Sequence, residues 1–157
     1  MIAAPDIGLA TSVEAETIAV LSRDEIEQGF RWSWTPERVR RAIRDKNTNV
    51  VVAREGGRMA GFALMRYEDE RAHLLLFGVV PSRRRQGIAT ALWTWLEATM
   101  RTAGVTAVQV ELRESNHAAR AFYERVGFEQ VNATRRYYQG IETALHMVKE
   151  LTSDAAP

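Results

Sequence analysis

The chain has 157 residues, 46% of them hydrophobic, enough for one sizeable core and too few for two ordinary domains. A formal net charge of +1 excludes a polyelectrolyte that binds nucleic acid or an anionic membrane through its overall charge, so either partner would need a local patch. The absence of cysteine excludes a disulfide framework, a thiolate zinc site and a cysteine nucleophile. No basic segment leads into an apolar stretch at the amino terminus, and no apolar run reaches the roughly 18 residues that span a bilayer. The expectation is a soluble cytoplasmic protein, one domain over residues 1–157, with loose termini at about 1–6 and 152–157.

Taken in order, the chain first allows a short strand around Ile7 to Ala10. Loosely helical apolar positions follow at Val13, Ile18, Leu21, Ile26 and Phe30, and Thr35-Pro36 then offers an N-cap with proline at the first helical position. Asn49 to Arg54 is β-branched, Glu55-Gly56-Gly57 signals a turn, and Arg58 to Tyr67 and Arg71 to Val80 complete an antiparallel meander. From Pro81 the period changes, because Ile88, Ala91, Leu92, Trp95 and Leu96 lie on one helical stripe that Gly104 can end. A strand from Ala107 to Leu112 leads to Asn116, the N-cap of a short helix with Ala119, Phe122, Tyr123 and Val126 on one face and Gly127 as its stop. Phe128 to Val131 and Thr143 to Leu151 read as two last strands. This order predicts a mixed α/β layer fold of about six to seven strands and about four helices, and it is not that of a doubly wound parallel sheet.

Between the third meander strand and the long helix lie Ser82-Arg83-Arg84-Arg85-Gln86-Gly87-Ile88-Ala89-Thr90. The first turn of a helix carries backbone N–H groups without intrahelical partners, at the positive end of the macrodipole. Gly87 lacks the Cβ that would hold a phosphate off the backbone, Ala89 is nearly as small, and the arginines add charge-assisted donors. So many donors suit a pyrophosphate better than a single phosphate. The spacing is neither G-x-x-x-x-G-K-[ST] nor G-x-G-x-x-G, which removes the main support for a P-loop or a dinucleotide-binding turn. The bland alternative is a solvated arginine loop with a glycine that turns the chain.

Arg84, Gly87 and Ala89, placed after a V-x-P strand end, resemble the acetyl-CoA-binding motif Q/R-x-x-G-x-G/A of the GNAT family of N-acetyltransferases. Asn116, Ala119, Tyr123, Gly127 and Phe128 resemble that family's later motif, N-x-x-A-x-x-x-Y-x-x-x-G-F, and the likeness covers almost the whole chain. The resemblance implies the GNAT fold, acetyl-CoA as cofactor with coenzyme A as product, and no metal. It assigns the pyrophosphate to Arg84, Arg85 and the amides from Gln86 through Gly87, Ile88 and Ala89 to Thr90, and leaves Arg83 expendable. It lays the pantetheine along Phe77, Gly78 and Val79, at a splayed or bulged part of that strand, with a free N–H near Val79 as the oxyanion donor.

Period-two alternation in Val108 to Arg113 sets Val108, Val110 and Leu112 on one face of the strand and Gln109, Glu111 and Arg113 on the other. From pattern alone Glu111 reads as a surface carboxylate paired with a neighbour. In the RimI-type, N-terminal-amine branch of the family a glutamate at the matching position is the general base, often through water, and direct amine attack fits a chain without cysteine. Tyr123 reads from spacing as a core tyrosine. The family motif puts it beside the thioester sulfur, as the acid for the leaving thiolate. Asn116 is an N-cap and, by resemblance, a partner of the pantetheine or of substrate.

Phe30-Arg31-Trp32-Ser33 resembles the F-P-W-S segment of RimI-type enzymes with arginine in place of proline, and Arg136-Tyr137-Tyr138 followed by Gly140 resembles their hairpin. Phe30, Trp32, Tyr137 and Tyr138 are thereby expected to bind substrate, although Trp32 and Trp34 could equally pack on the sheet. The connection from Thr134 to Thr143 reads as shorter than in that branch. The expected acceptor is a protein or peptide N-terminal amine, with a small amine such as an amino acid, polyamine or aminoglycoside as the alternative. A non-catalytic acyl-CoA-binding module is disfavoured by Glu111 and Tyr123 together. Nucleic acid is disfavoured by the lack of a basic stripe interleaved with aromatics. A membrane is not expected, and a monomer and a homodimer fit equally.

Overall fold

The computed structural model describes residues 4–151; of the ends expected to be loose, 1–6 and 152–157, residues 1–3 and 152–157 lie outside the described residues, whereas Asp6 already belongs to the first strand. Among the described residues, seven strands form one mixed sheet in the order β1-β2-β3-β4-β5-β7-β6. They are β1 Asp6–Leu9, β2 Thr48–Glu55, β3 Arg58–Glu68, β4 Arg71–Val79, β5 Ala107–Arg113, β6 Glu129–Tyr138 and β7 Glu142–Glu150. Only β4 and β5 run parallel, joined by the long helix α3, Ile88–Thr102. Helices α1 (Ala15–Leu21) and α2 (Pro36–Arg44) cover one face, and α3 and α4 (His117–Arg125) cover the other.

Each layer follows from side-chain periodicity. Ala15, Ile18, Ala19 and Val39 pack on Val50, Val52, Phe62, Leu64 and Leu76. The opposite pleat, with Val51, Ala63, Met65, Leu74, Val110 and Met147, meets Ile88, Leu92, Leu96 and Met100. Burying such a branched or aromatic side chain is worth about 1.5–3 kcal/mol before entropy is counted. The caps are those expected: Thr35 accepts from the Arg38 N–H at 3.3 Å behind Pro36, and Asn116 accepts from the Ala119 N–H at 3.1 Å.

The early helical segment differs from expectation. A single 3-10 turn at Ser12–Glu14 precedes α1, and a π-helical turn at Ser22–Ile26 follows it, so Phe30 lies in a loop. Val13, at the start of the apolar pattern, is 86% exposed, because the Thr11–Glu14 capping box turns the chain there. β6 is also longer than Phe128 to Val131. It continues to Tyr138 through a break in register that Arg136 makes possible with a φ of 53°.

Two irregularities open the middle of the sheet. Leu76 opposes Leu64 and Leu74 opposes Met65, which leaves Leu75 as an extra residue in β4. Pairing of β4 with β5 then stops at Leu74 and Val110. Beyond that point Gly78 and Val79 still pair with Phe62 and Gly61 of β3, while their other edge faces the gap that β5 has left. A Cβ on Gly78 would stand 2.9 Å from the Phe62 ring, so this approach needs glycine.

Candidate active site

A cleft of about 890 Å³ opens at the gap between β4 and β5. Its walls include Phe77, Gly78, Val79, Arg83, Arg84, Arg85, Gly87, Ile88, Ala89, Thr90 and Asn116. Of the residues expected to hold the cofactor, Gln86 alone is absent from the walls. Arg83, set aside by the motif, is present. Arg85 has φ 63° and Gly87 φ 81°, so the loop presents its amides by left-handed turns before α3 begins. A Cβ on Gly87 would meet no atom within 4 Å. That empty space, the amides of the first turn of α3 and three guanidinium groups fit a pyrophosphate. Arg84 is held there by Glu25, at 3.0 Å.

A second cavity of about 460 Å³ adjoins the cleft, and Ile26, Phe77, Arg113, Asn116 and Ala119 line both. Glu111 and Tyr123 line the second cavity. The two cavities therefore share a wall; Tyr123 packs against Phe77 in that wall, and Glu111 lies on the side of the second cavity.

Glu111 points from β5 to the face that α1 and α2 leave open. His146 is its direct partner across the β5–β7 pair, with Nδ1 at 3.6 Å from Oε1, and His73 on β4 puts Nε2 at 3.8 Å. The Tyr137 hydroxyl donates to the same carboxylate, which raises the tyrosine pKa above its ordinary value. Burial pushes the His73 pKa down, against the attraction of Glu111, so His73 is neutral at neutral pH. Thr134 Oγ1 lies 2.8 Å from His146 Nε2. Neither histidine belongs to a motif in the sequence. The available signal was strand parity, once β7 is paired with β5.

Tyr123 is 6% exposed and packs edge-on against Phe77, Phe122 and Phe128. Burial drives its pKa well above the ordinary tyrosine value, so the hydroxyl keeps its proton at neutral pH.

The second cavity is roofed by two loops. Phe30 stacks on Tyr138 at 5.5 Å. The Gln139 carboxamide accepts from the Arg31 N–H at 2.9 Å and donates to the Arg31 carbonyl at 3.2 Å. Below them the Arg113 guanidinium lies 3.8 Å from the Phe30 ring centre and donates to the carbonyls of Ile26 and Gln28. Glu27, 8% exposed, organises the loop by accepting from Ser22 Oγ and from the N–H groups of Ser33 and Trp34. Phe30, Tyr137 and Tyr138 line the cavity as expected positions for substrate. Trp32 does not. Its indole N–H donates to the Ala19 carbonyl at 3.1 Å; both tryptophan rings pack against the α1–α2 core, and Trp34 also lines the cavity. A buried indole N–H needs an acceptor, and the end of α1 supplies one.

No described helix is long and apolar enough to cross a membrane, and the described residues hold no cluster of three potential metal ligands.

A family model described as "Acetyltransferase (GNAT) domain" matches residues 17–151. The chain is 36% identical over 96 residues to the [ribosomal protein bS18]-alanine N-acetyltransferase of Escherichia coli (strain K12), an alignment that spans 59% of this chain and 65% of that relative. It is 33% identical over 110 residues to the N-alpha-acetyltransferase RimI of Mycobacterium tuberculosis, covering 68% of each. Among solved structures, the ribosomal-protein-S18-alanine N-acetyltransferase from Escherichia coli superposes with a TM-score of 0.82 and 25% identity, over 98% of this chain and 99% of that one. The cleft between splayed parallel strands, the arginine-glycine turn above it and these matches lead to one conclusion: the chain belongs to the GNAT acetyltransferase family.

Proposed function

We propose that this protein transfers an acetyl group from acetyl-CoA directly to the terminal α-amine of a polypeptide. The observation that carries the reading is the meeting of the arginine-lined cleft with a roofed aromatic cavity beside Glu111 and Tyr123. Bound, acetyl-CoA supplies an activated acetyl thioester. The amides and arginines around Gly87 hold the diphosphate, and the free edge of Phe77 to Val79 holds the pantetheine arm and offers an N–H to the developing oxyanion. Glu111 takes the proton of the incoming ammonium, directly or through water, and the Tyr123 hydroxyl gives its proton to the departing thiolate sulfur.

A peptide terminus suits the cavity better than a polyamine or aminoglycoside. Among the described residues its only carboxylates are Glu27 and Glu111, and both Glu27 oxygens already accept hydrogen bonds within the loop, so little negative charge remains for a second cationic group. A thiol-release screen tests this. Peptides with a free terminus are expected to be turned over and the same peptides with a blocked terminus are not. Preferential turnover of polyamines or aminoglycosides would instead establish the small-amine reading.

Gly87→Val tests the cradle. The left-handed φ of 81° costs a β-branched residue about 1–2 kcal/mol, and the new side chain projects into the open space described above. KM for acetyl-CoA is expected to rise at least about tenfold, with KM for the peptide nearly unchanged. An unaltered KM for acetyl-CoA would place the diphosphate elsewhere.

A further inference from the structure

Beyond Glu111 the open face of the sheet continues to a second groove, of about 480 Å³, at the β3–β4 hairpin. The pairing Arg66 with His73 and His73 with Gln109 sets these three side chains in one row, on the same face as Glu111. His73 joins the two places, since it lines the groove and lies 3.8 Å from the Glu111 carboxylate. Charged groups of both signs line this groove, among them Arg66, Asp69 and Arg71, and none of these three forms an ion pair among the described residues. At the other end, the Arg31–Gln139 hydrogen bonds and the Phe30–Tyr138 stack tie the two loops together across the cavity.

Resting on the reading of a polypeptide acceptor, we propose that the acceptor chain runs from Glu111 along the sheet past His73, and that the β3–β4 groove binds the residues that follow its terminus. The ligand class is an extended segment with charged side chains, which Arg66, Arg71 and Asp69 can pair and Gln109 can hydrogen-bond. Four strand positions separate Glu111 from Ala107, which faces Arg71, a distance of about 13 Å. An extended chain covers that in roughly four residues. A dipeptide therefore ends before the groove and an octapeptide fills it.

The test compares kcat/KM for a dipeptide and an octapeptide that share their first two residues, in the unaltered protein and in Arg66→Glu and Arg71→Glu. Both arginines are exposed, and a thermal melt checks that the variants are folded. The octapeptide is expected to exceed the dipeptide by about tenfold or more, and that ratio is expected to fall to near one in the variants. Equal rates for the two peptides, or a ratio that survives both substitutions, would overturn the groove while leaving peptide acetylation intact. Turnover of small amines with neither peptide accepted would overturn both readings.

Discussion

Glu111→Gln is expected to lower kcat by about 10²–10⁴-fold while leaving the fold and the affinity for acetyl-CoA nearly unaltered. The side chain is isosteric and only a quarter exposed, it lies outside the arginine cleft, and the amide keeps an acceptor for the Tyr137 hydroxyl. What it loses is the capacity to take a proton. Around that one carboxylate the sheet gathers His73, His146 and Tyr137 from three strands, an arrangement that holds it within reach of an amine in the roofed cavity. Steady-state thiol release with saturating peptide measures the effect. A kcat within about twofold of the parent would remove Glu111 from proton transfer.

Tyr123→Phe is expected to lower kcat by about 10–10⁴-fold. It removes one oxygen from a ring that is otherwise packed among Phe77, Phe122 and Phe128, so the melting temperature should stay close to that of the parent. The raised pKa matters for the direction of the effect. A hydroxyl that stays protonated across the neutral range is available as an acid throughout it, so no limb of the pH–rate profile in that range should belong to Tyr123. Full activity in the phenylalanine variant would assign the leaving-group proton to another donor.

These two residues show where a sequence is legible and where it is not. Strand alternation in Val108 to Arg113 puts Glu111 on the polar face without any structure, and helical spacing does the same for Tyr123 on its apolar face. Both patterns are local. His146 reaches Glu111 only because β7 inserts between β5 and β6, a pairing that no periodicity announces. The gap between β4 and β5 depends on one extra residue, Leu75, inside an apolar run that reads as an unbroken strand. Trp32 and Trp34 illustrate the same limit from the other side. They are two residues apart in a loop, where no helix or strand period assigns a face. What separates them is the Ala19 carbonyl, which takes the Trp32 indole N–H. The Arg31–Gln139 tie spans 108 positions and is equally invisible in the sequence, although the arginine in place of proline supplies the N–H that Gln139 accepts.

Gly87 and Gly78 were legible for different reasons. Gly87 stands where a phosphate-binding turn needs a positive φ, and its position before the apolar stripe of α3 marks it. Gly78 interrupts a strand, which signals close approach of something, and the something turns out to be the Phe62 ring on one side with the open cleft on the other.

The central claim is direct transfer from acetyl-CoA to a free terminal amine at the junction of the two cavities. It is tested most directly by incubating the protein with acetyl-CoA labelled in the acetyl group, alone and with a free-terminus peptide, and locating the label by mass spectrometry. The account predicts the label on the peptide's terminal nitrogen, thiol release that requires the peptide, and no label on the protein. Label on the protein before any amine is added, or thiol release indifferent to the peptide, would contradict it.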